Sequence, residues 1–178
     1  MGITKFIFFK LMGWRIEGNF DSDVKKAVVI VVPHTSWHDF YIGAFTRKIL
    51  GVEINYIAKA ELFKWPLGAY LRWMGGVPLD RTPGQKKVDA IADIFQDKDE
   101  FRLALAPEGT RQKVVEWKTG YYYIALAAKV PIIRVAFDYP NKTVRIAPPF
   151  YPSGDIMKDT PVLRSFFEGV IGKKKEFS

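Results

Sequence analysis

Two histidines are present in the 178 residues, and both fall in one stretch, Pro33-His34-Thr35-Ser36-Trp37-His38-Asp39-Phe40. Imidazole is the side chain best suited to exchange a proton near neutral pH. Its use as a base improves when a carboxylate fixes its tautomer and orientation. His34 and Asp39 are five positions apart. Inside one helix that spacing turns the two side chains about 140° away from each other. They meet only if His34 lies in a loop and Asp39 in the first turn of the helix that follows. The pair then has the acid and base members of a triad, with one imidazole nitrogen on the carboxylate and the other open. Ser36 is read as a helix cap rather than a nucleophile, and His38 as facing solvent or packing on the helix. Taken alone, the spacing favours a local loop hydrogen bond between His34 and Asp39 over a catalytic pair.

A second group is Pro107-Glu108-Gly109-Thr110-Arg111. Glycine lets a backbone approach a ligand, amides and a hydroxyl can receive oxyanions, and arginine grips phosphate with two parallel hydrogen bonds. Arg81, Lys59 and Lys118 follow or flank predicted elements and add cationic candidates. Each of these, taken singly, is also consistent with a turn or a solvated cation. The chain has no cysteine, which excludes a disulfide scaffold, a thiolate metal site and a cysteine nucleophile. Two histidines are too few for a histidine-rich metal cage, so no metal site is expected.

These residues need elements to hold them. Residues 27–32, AVVIVV, read as a fully buried strand. A helix is predicted from about Trp37 to Leu50, with Gly51 as its stop. Further strands are predicted at 53–58, 77–79, 101–106, 131–137 and 143–147. Residues 61–73 read as a helical stretch broken near Pro66. Helices are predicted from Thr82-Pro83, over 119–129, and from Thr160-Pro161 with Leu163, Phe166, Phe167, Val170 and Ile171 on its face. This alternation argues an α/β fold with a largely parallel central sheet flanked by helices, in one domain over 1–178. In such sheets function gathers at the carboxyl ends of the strands, and His34, Lys59, Arg81 and Glu108 all follow strands.

Lys and Arg number 27 against 19 Asp and Glu, a net charge of +8. That surplus favours an anionic partner such as a membrane surface, a phosphorylated substrate or nucleic acid. The basic residues are scattered and no nucleic-acid motif is present, so nucleic acid is not expected. No apolar run approaches the ~20 residues of a spanning helix. The first 14 residues, MGITKFIFFKLMGW, are apolar but too short to cross. They read equally as a helix docked on the domain or as a shallow interfacial anchor. A solvated basic tail, Lys173–Lys175, opens the last segment, 173–178.

The separate blocks carry more weight in order. H-x4-D (His34, Asp39), G-x-P-L-D-R (Gly76–Arg81), P-E-G-T-R (Pro107–Arg111) and V-P-I-I (from Val130) occur in this sequence over residues 27–137. Together they resemble the lysophospholipid (1-acylglycerol-3-phosphate) and glycerol-phosphate acyltransferase family. The resemblance implies that family's α/β fold and an O-acyltransferase. A fatty acyl group would move from acyl-CoA or acyl carrier protein to the hydroxyl of a lysophospholipid, above all 1-acylglycerol-3-phosphate, giving phosphatidic acid. It implies His34 as general base with Asp39 as its partner. Arg81, Glu108, Gly109, Thr110 and Arg111 would bind the acceptor and its phosphate, with Lys59 and Lys118 in support. Val130–Val135 would line the acyl side. No cofactor is implied beyond the thioester co-substrate. The place of action would be the inner face of a membrane, reached peripherally from the cytoplasm. Two departures bear on the choice of substrate: Pro33 where the family often has Asn, and Arg134 where a second proline is common. An amino-acid lipid acceptor, or a non-catalytic module for anionic lipid or nucleic acid, are the alternatives.

Overall fold

Strand β2 (Lys26–Val32) shows why the sheet forms. Five of its seven residues are β-branched, the strand buries almost without interruption, and its side chains alternate between two cores. Val28, Ile30 and Val32 enter one hydrophobic cluster; Ala27 and Val29 enter the other. That is the two-residue period of a strand buried on both faces. The computed structural model describes residues 2–79 and 87–177.

A five-stranded sheet runs in the order β1 (Arg15–Glu17), β7 (Thr143–Ile146), β6 (Ile132–Asp138), β2 and β5 (Phe101–Leu105). All neighbours pair in parallel except β6 and β7. Val29 lies at the centre, in register with Ala104 on one side and Ile133 on the other. A second, two-stranded parallel sheet pairs β3 (Tyr56–Lys59) with β4 (Gly76–Leu79). It joins the edge of β5 through Asn55, whose N–H donates to the Arg102 carbonyl and whose carbonyl accepts from Ala104 N–H.

Helices cover both faces. α4 (Lys87–Asp97), α5 (Gly120–Ala128) and α6 (Ile156–Ser165) close the first core through Ile91, Phe95, Tyr122 and Leu163. α2 (His38–Leu50) and the N-terminal helix close the second. That N-terminal helix begins as α1 (Ile3–Phe6) and widens into π-helical turns over Ile7–Leu11. It docks through Phe8, fully buried and stacked on Phe45 of α2, while Ile3, Phe6 and Leu11 stay exposed. Among the described residues, no helix is long and apolar enough to cross a membrane.

Several expectations need correction. The central sheet is largely parallel as expected, but the strands predicted at 53–58 and 77–79 pair with each other in a second sheet. β1 has no forerunner in the sequence reading. The last helix starts at Ile156, because the Asp155 carboxylate accepts the amides of Met157 and Lys158 and caps it there; Pro161 lies inside it. The start predicted at Thr82-Pro83 lies outside the described residues. Ser36 is not the cap of α2. Trp37 occupies that position, and the Ser36 hydroxyl instead accepts the His38 N–H at 3.3 Å. The side chains of Lys173–Lys175 are exposed, as a solvated tail requires, but the backbone there is anchored. The Lys174 amide donates to Thr35 Oγ1 at 3.2 Å, and a β-carbon added at Gly172 would stand 2.6 Å from that same oxygen. The C-terminal segment therefore braces the His34 loop from behind.

Candidate active site

β2, β5 and β6 run parallel, so their carboxyl ends meet at one edge. β2 delivers His34, β5 delivers the 107–111 loop, and β6 delivers Tyr139. His34 Nδ1 lies 3.1 Å from Asp39 Oδ2, with His34 in the loop and Asp39 in the first turn of α2. The same Oδ2 accepts the backbone amides of Thr35 at 3.0 Å and Ser36 at 2.9 Å. Asp39 Oδ1 accepts the Tyr139 phenol at 2.7 Å. Thus the amides and the phenol all give protons to this carboxylate. An acceptor-only carboxylate places the imidazole proton on Nδ1 and leaves the Nε2 lone pair open. Asp39 is buried; the His34 side chain keeps 29% of its exposure and opens outward.

Tyr139 was not foreseen. It lies 100 residues from its partner, and no local pattern links them. Trp14 packs edge-on against its ring at 5.0 Å. Burial first, then the hydrogen bond to Asp39 and its charge, push the phenol far above the usual tyrosine range. It therefore remains a donor at any working pH.

Glu108, to which the resemblance gives a role in acceptor binding, sits against the His34 loop. Its carboxylate is buried and accepts the His34 backbone N–H at 2.7 Å. It holds the β5 loop to the β2 loop. Burial pushes its carboxyl upward, partly offset by the His34 amide. Gly109 has φ +65°, and its missing side chain leaves room for the Lys118 chain, 2.6 Å from where a β-carbon would sit. Lys118 otherwise ties in through its amide to the Pro107 carbonyl. Thr110 is exposed, its hydroxyl accepting the Gln112 amide at 3.3 Å. Lys59 is exposed at the end of β3 and does not line the site. Arg81 lies outside the described residues. Ser36 lies 3.0 Å from His38 Nδ1, so its hydroxyl engages the second histidine, not the first.

His34, Asp39 and Arg111 share the wall of a cavity of about 580 Å³ between α2, the sheet and the β3–β4 unit. Its other walls are largely apolar, with Val29, Val31, Val135 and Phe137 from the sheet, Phe40 and Gly43 from α2, and Tyr70, Leu71 and Met74 beyond. Of the predicted Val130–Val135 segment only Val135 reaches it. Arg134 points to the opposite face, where its guanidinium covers the rings of Phe150 and Phe166 and donates to the Val162 carbonyl. Its presence therefore has no bearing on the cavity. A smaller recess of about 330 Å³ lies on the outer side of the loop, where Arg111 joins Lys173, Lys174 and His38. Among the described residues, no three His, Asp or Glu side chains are grouped to hold a metal ion.

Comparison with known proteins identifies the family. The chain is 24% identical over 152 residues to a 1-acyl-sn-glycerol-3-phosphate acyltransferase of Haemophilus influenzae, covering 78% of this chain and 60% of that protein. It is 28% identical over 138 residues to the Homo sapiens 1-acyl-sn-glycerol-3-phosphate acyltransferase beta, covering 74% of this chain and 48% of that protein. The chain thus spans about half to three fifths of these relatives. The crystal structure of the 1-acyl-sn-glycerophosphate acyltransferase PlsC from Thermotoga maritima superposes with a TM-score of 0.59 over 93% of this chain and 76% of that one, at 21% identity, a likeness of fold. A family model described as Acyltransferase matches residues 14–138. That span holds the His34–Asp39 pair, the 107–111 loop and most of the cavity wall, and by it the chain belongs to the acyltransferase family.

Proposed function

We propose that this protein transfers a fatty acyl group from a thioester to the free hydroxyl of 1-acyl-sn-glycerol 3-phosphate, giving phosphatidic acid. The observation that carries the proposal is the open Nε2 of His34 at the edge of an apolar cavity that Arg111 also lines. The cavity volume falls within the ~300–1,000 Å³ usual for small-molecule sites. Its lining suits a hydrocarbon chain, and the recess shared by Arg111 and the C-terminal lysines suits a phosphate.

The steps follow from this arrangement. His34 Nε2 takes the proton of the acceptor hydroxyl as its oxygen forms a bond to the thioester carbonyl carbon. Asp39 stabilises the imidazolium that results, and Tyr139 with the Thr35 and Ser36 amides keeps Asp39 in place. The tetrahedral intermediate collapses with cleavage of the carbon–sulfur bond. The departing thiolate receives the proton held by His34. No residue is acylated on the way, and a thioester is activated enough that the step draws on no metal or cofactor. General-base assistance of this kind contributes about 10²–10⁴-fold. The donor is acyl-CoA or an acyl carrier protein thioester, and the protein works peripherally at the cytoplasmic face of a membrane.

The test is thiol release from each donor with 1-acylglycerol 3-phosphate, compared with lysophosphatidylglycerol, lysophosphatidylcholine and an amino-acid lysolipid. Release dependent on the phosphomonoester acceptor, with phosphatidic acid as product, is expected. Release that prefers another acceptor would overturn the choice of substrate, and no release with any acceptor would overturn the reaction.

A further inference from the structure

The segment that links β3 to β4 carries the most exposed aromatic surface of the described residues. Trp65 is 93% exposed and Trp73 72%. Leu62, Leu67 and Tyr70 are each about half exposed. The segment is folded, not frayed. A 3₁₀ turn (Ala60–Phe63) leads through Pro66 into α3 (Leu67–Trp73). Phe63 is buried, Arg72 covers its ring at 5.4 Å, and Gly68 lies so close to the Phe63 carbonyl that a β-carbon would stand 1.9 Å from it. So the segment gives Phe63 to the interior and turns both tryptophans to the outside. On α3, Leu67, Tyr70 and Trp73 follow at three-residue spacing along one ridge, and the Tyr70 and Trp73 rings lie 6.0 Å apart. Lys59, Lys64 and Arg72 accompany them against Glu61 alone, a surplus of two positive charges over 59–73.

We infer that this ledge docks the protein on an anionic lipid bilayer and admits the acyl chain sideways into the cavity. Tryptophan and tyrosine favour the boundary between headgroups and hydrocarbon, and lysine and arginine favour its anionic surface. Contiguous apolar surface of this kind is uncommon on a protein without a partner. Continuity with the cavity selects lipid over another protein. Tyr70 and Leu71 of the ledge line the cavity wall, and exposed Phe40 joins them edge-on to Tyr56 at 6.0 Å. A chain leaving the bilayer across Tyr70 stays against apolar walls until it reaches His34. This half of the inference rests on the proposed function, since it takes the cavity to hold an acyl chain. The ledge is separate from the N-terminal helix, which packs on α2 through Phe8.

The test compares the intact protein with Trp65→Ser/Trp73→Ser, and with Ile3→Ser/Leu11→Ser as a second variant. Each is sedimented with phosphatidylcholine vesicles with and without phosphatidylglycerol. Thiol release is measured in parallel with short-chain donor and acceptor dissolved as monomers. The expected result is vesicle binding that needs phosphatidylglycerol and falls about tenfold or more in the double tryptophan variant, with release from soluble substrates unchanged. Unchanged vesicle binding in that variant would overturn the docking surface. So would binding lost only in the N-terminal variant, absence of binding by the unsubstituted protein, or a change confined to self-association, which would make a second copy the occupant. Tryptophan-dependent vesicle binding without acyl transfer in either phase would sink the catalytic reading and leave the docking surface supported.

Discussion

Asp39 and Asp159 are both buried carboxylates that accept a tyrosine phenol at 2.7 Å, yet only one of them meets a histidine. Asp39 takes the phenol of Tyr139 and the amides of Thr35 and Ser36. Asp159, on α6, takes the phenol of Tyr122 together with the amide of Ser153 at 2.6 Å and its hydroxyl at 2.9 Å. Tyr122 in turn accepts the Gly154 amide at 3.1 Å. The two sites share the same means of holding a carboxylate. They differ in what the carboxylate then supports. At Asp159 the network closes on itself, tying α5 to the turn that starts α6. At Asp39 one partner is a titratable ring that keeps an open nitrogen at the wall of an apolar cavity. A buried aspartate with its full set of donors is thus a support in both places. In the proposed reaction, chemistry belongs to the one whose load can move a proton.

Removing the two carboxylates should separate these roles most sharply. Asp39→Asn is expected to lower kcat about 10³–10⁴-fold, because the amide no longer stabilises the imidazolium and lets the ring choose the wrong tautomer. Asp159→Ala should leave kcat per folded molecule unchanged while lowering stability by about 3 kcal/mol, since it strands buried donors of Tyr122 and Ser153. Urea unfolding and initial rates on both variants check this, and a rate loss in the Asp159 variant as large as in Asp39→Asn would erase the distinction.

Removing the phenols gives the same contrast in milder form. Tyr139→Phe takes one of the donors from Asp39 and should lower kcat about tenfold with little change in KM. Tyr122→Phe should leave kcat alone and reduce stability by about 1–2 kcal/mol. Equal effects of the two on rate would show that Tyr139 is no more tied to the chemistry than any core residue.

The smallest effect is a pH dependence. Burial alone would raise the Asp159 carboxyl, but the hydrogen bonds from Tyr122 and Ser153 outweigh it and hold it below the ordinary aspartate value of 3.8. A depressed folded value means that the carboxylate contributes stability above the unfolded value, a contribution lost as pH falls through the folded one. The Tm gap between the unsubstituted protein and Asp159→Asn should therefore be constant near neutral pH and shrink below about pH 4. Glu108 should behave oppositely. Burial raises it, so its contribution is greatest in acid and declines as pH rises, and Glu108→Gln should gain relative stability toward neutrality. A gap for Asp159 that widens in acid would contradict the arrangement of donors around it.

Much of this contrast was legible in the sequence on one side only. His34 and Asp39 are close in the chain, so residue type and spacing sufficed to pair them, and the 107–111 loop could be placed at the same sheet edge by counting strands. Tyr139, Tyr122 and Asp159 meet their partners across 100 and 37 positions, where no local period reports contact. The contact of Glu108 with the His34 loop had no signal for a related reason: its partner is a backbone amide, which leaves no mark in residue identity. β1 escaped because three residues with one half-buried isoleucine carry no period. The start of α6 was misplaced because Thr160-Pro161 imitates a helix opening, whereas the Asp155 side chain reaches two amides one turn earlier. Arg134 counts in the sequence as a departure that bears on substrate choice because its face of β6 is not known until the register fixes it.

The most direct test of the central claim, that the open nitrogen of His34 is the base, is single-turnover acyl transfer by His34→Gln beside Tyr122→Phe, with folding of both verified by circular dichroism. Phosphatidic acid formation slowed about a thousandfold in the first and unchanged in the second is the predicted result. Transfer by His34→Gln within tenfold of the unsubstituted protein would contradict it.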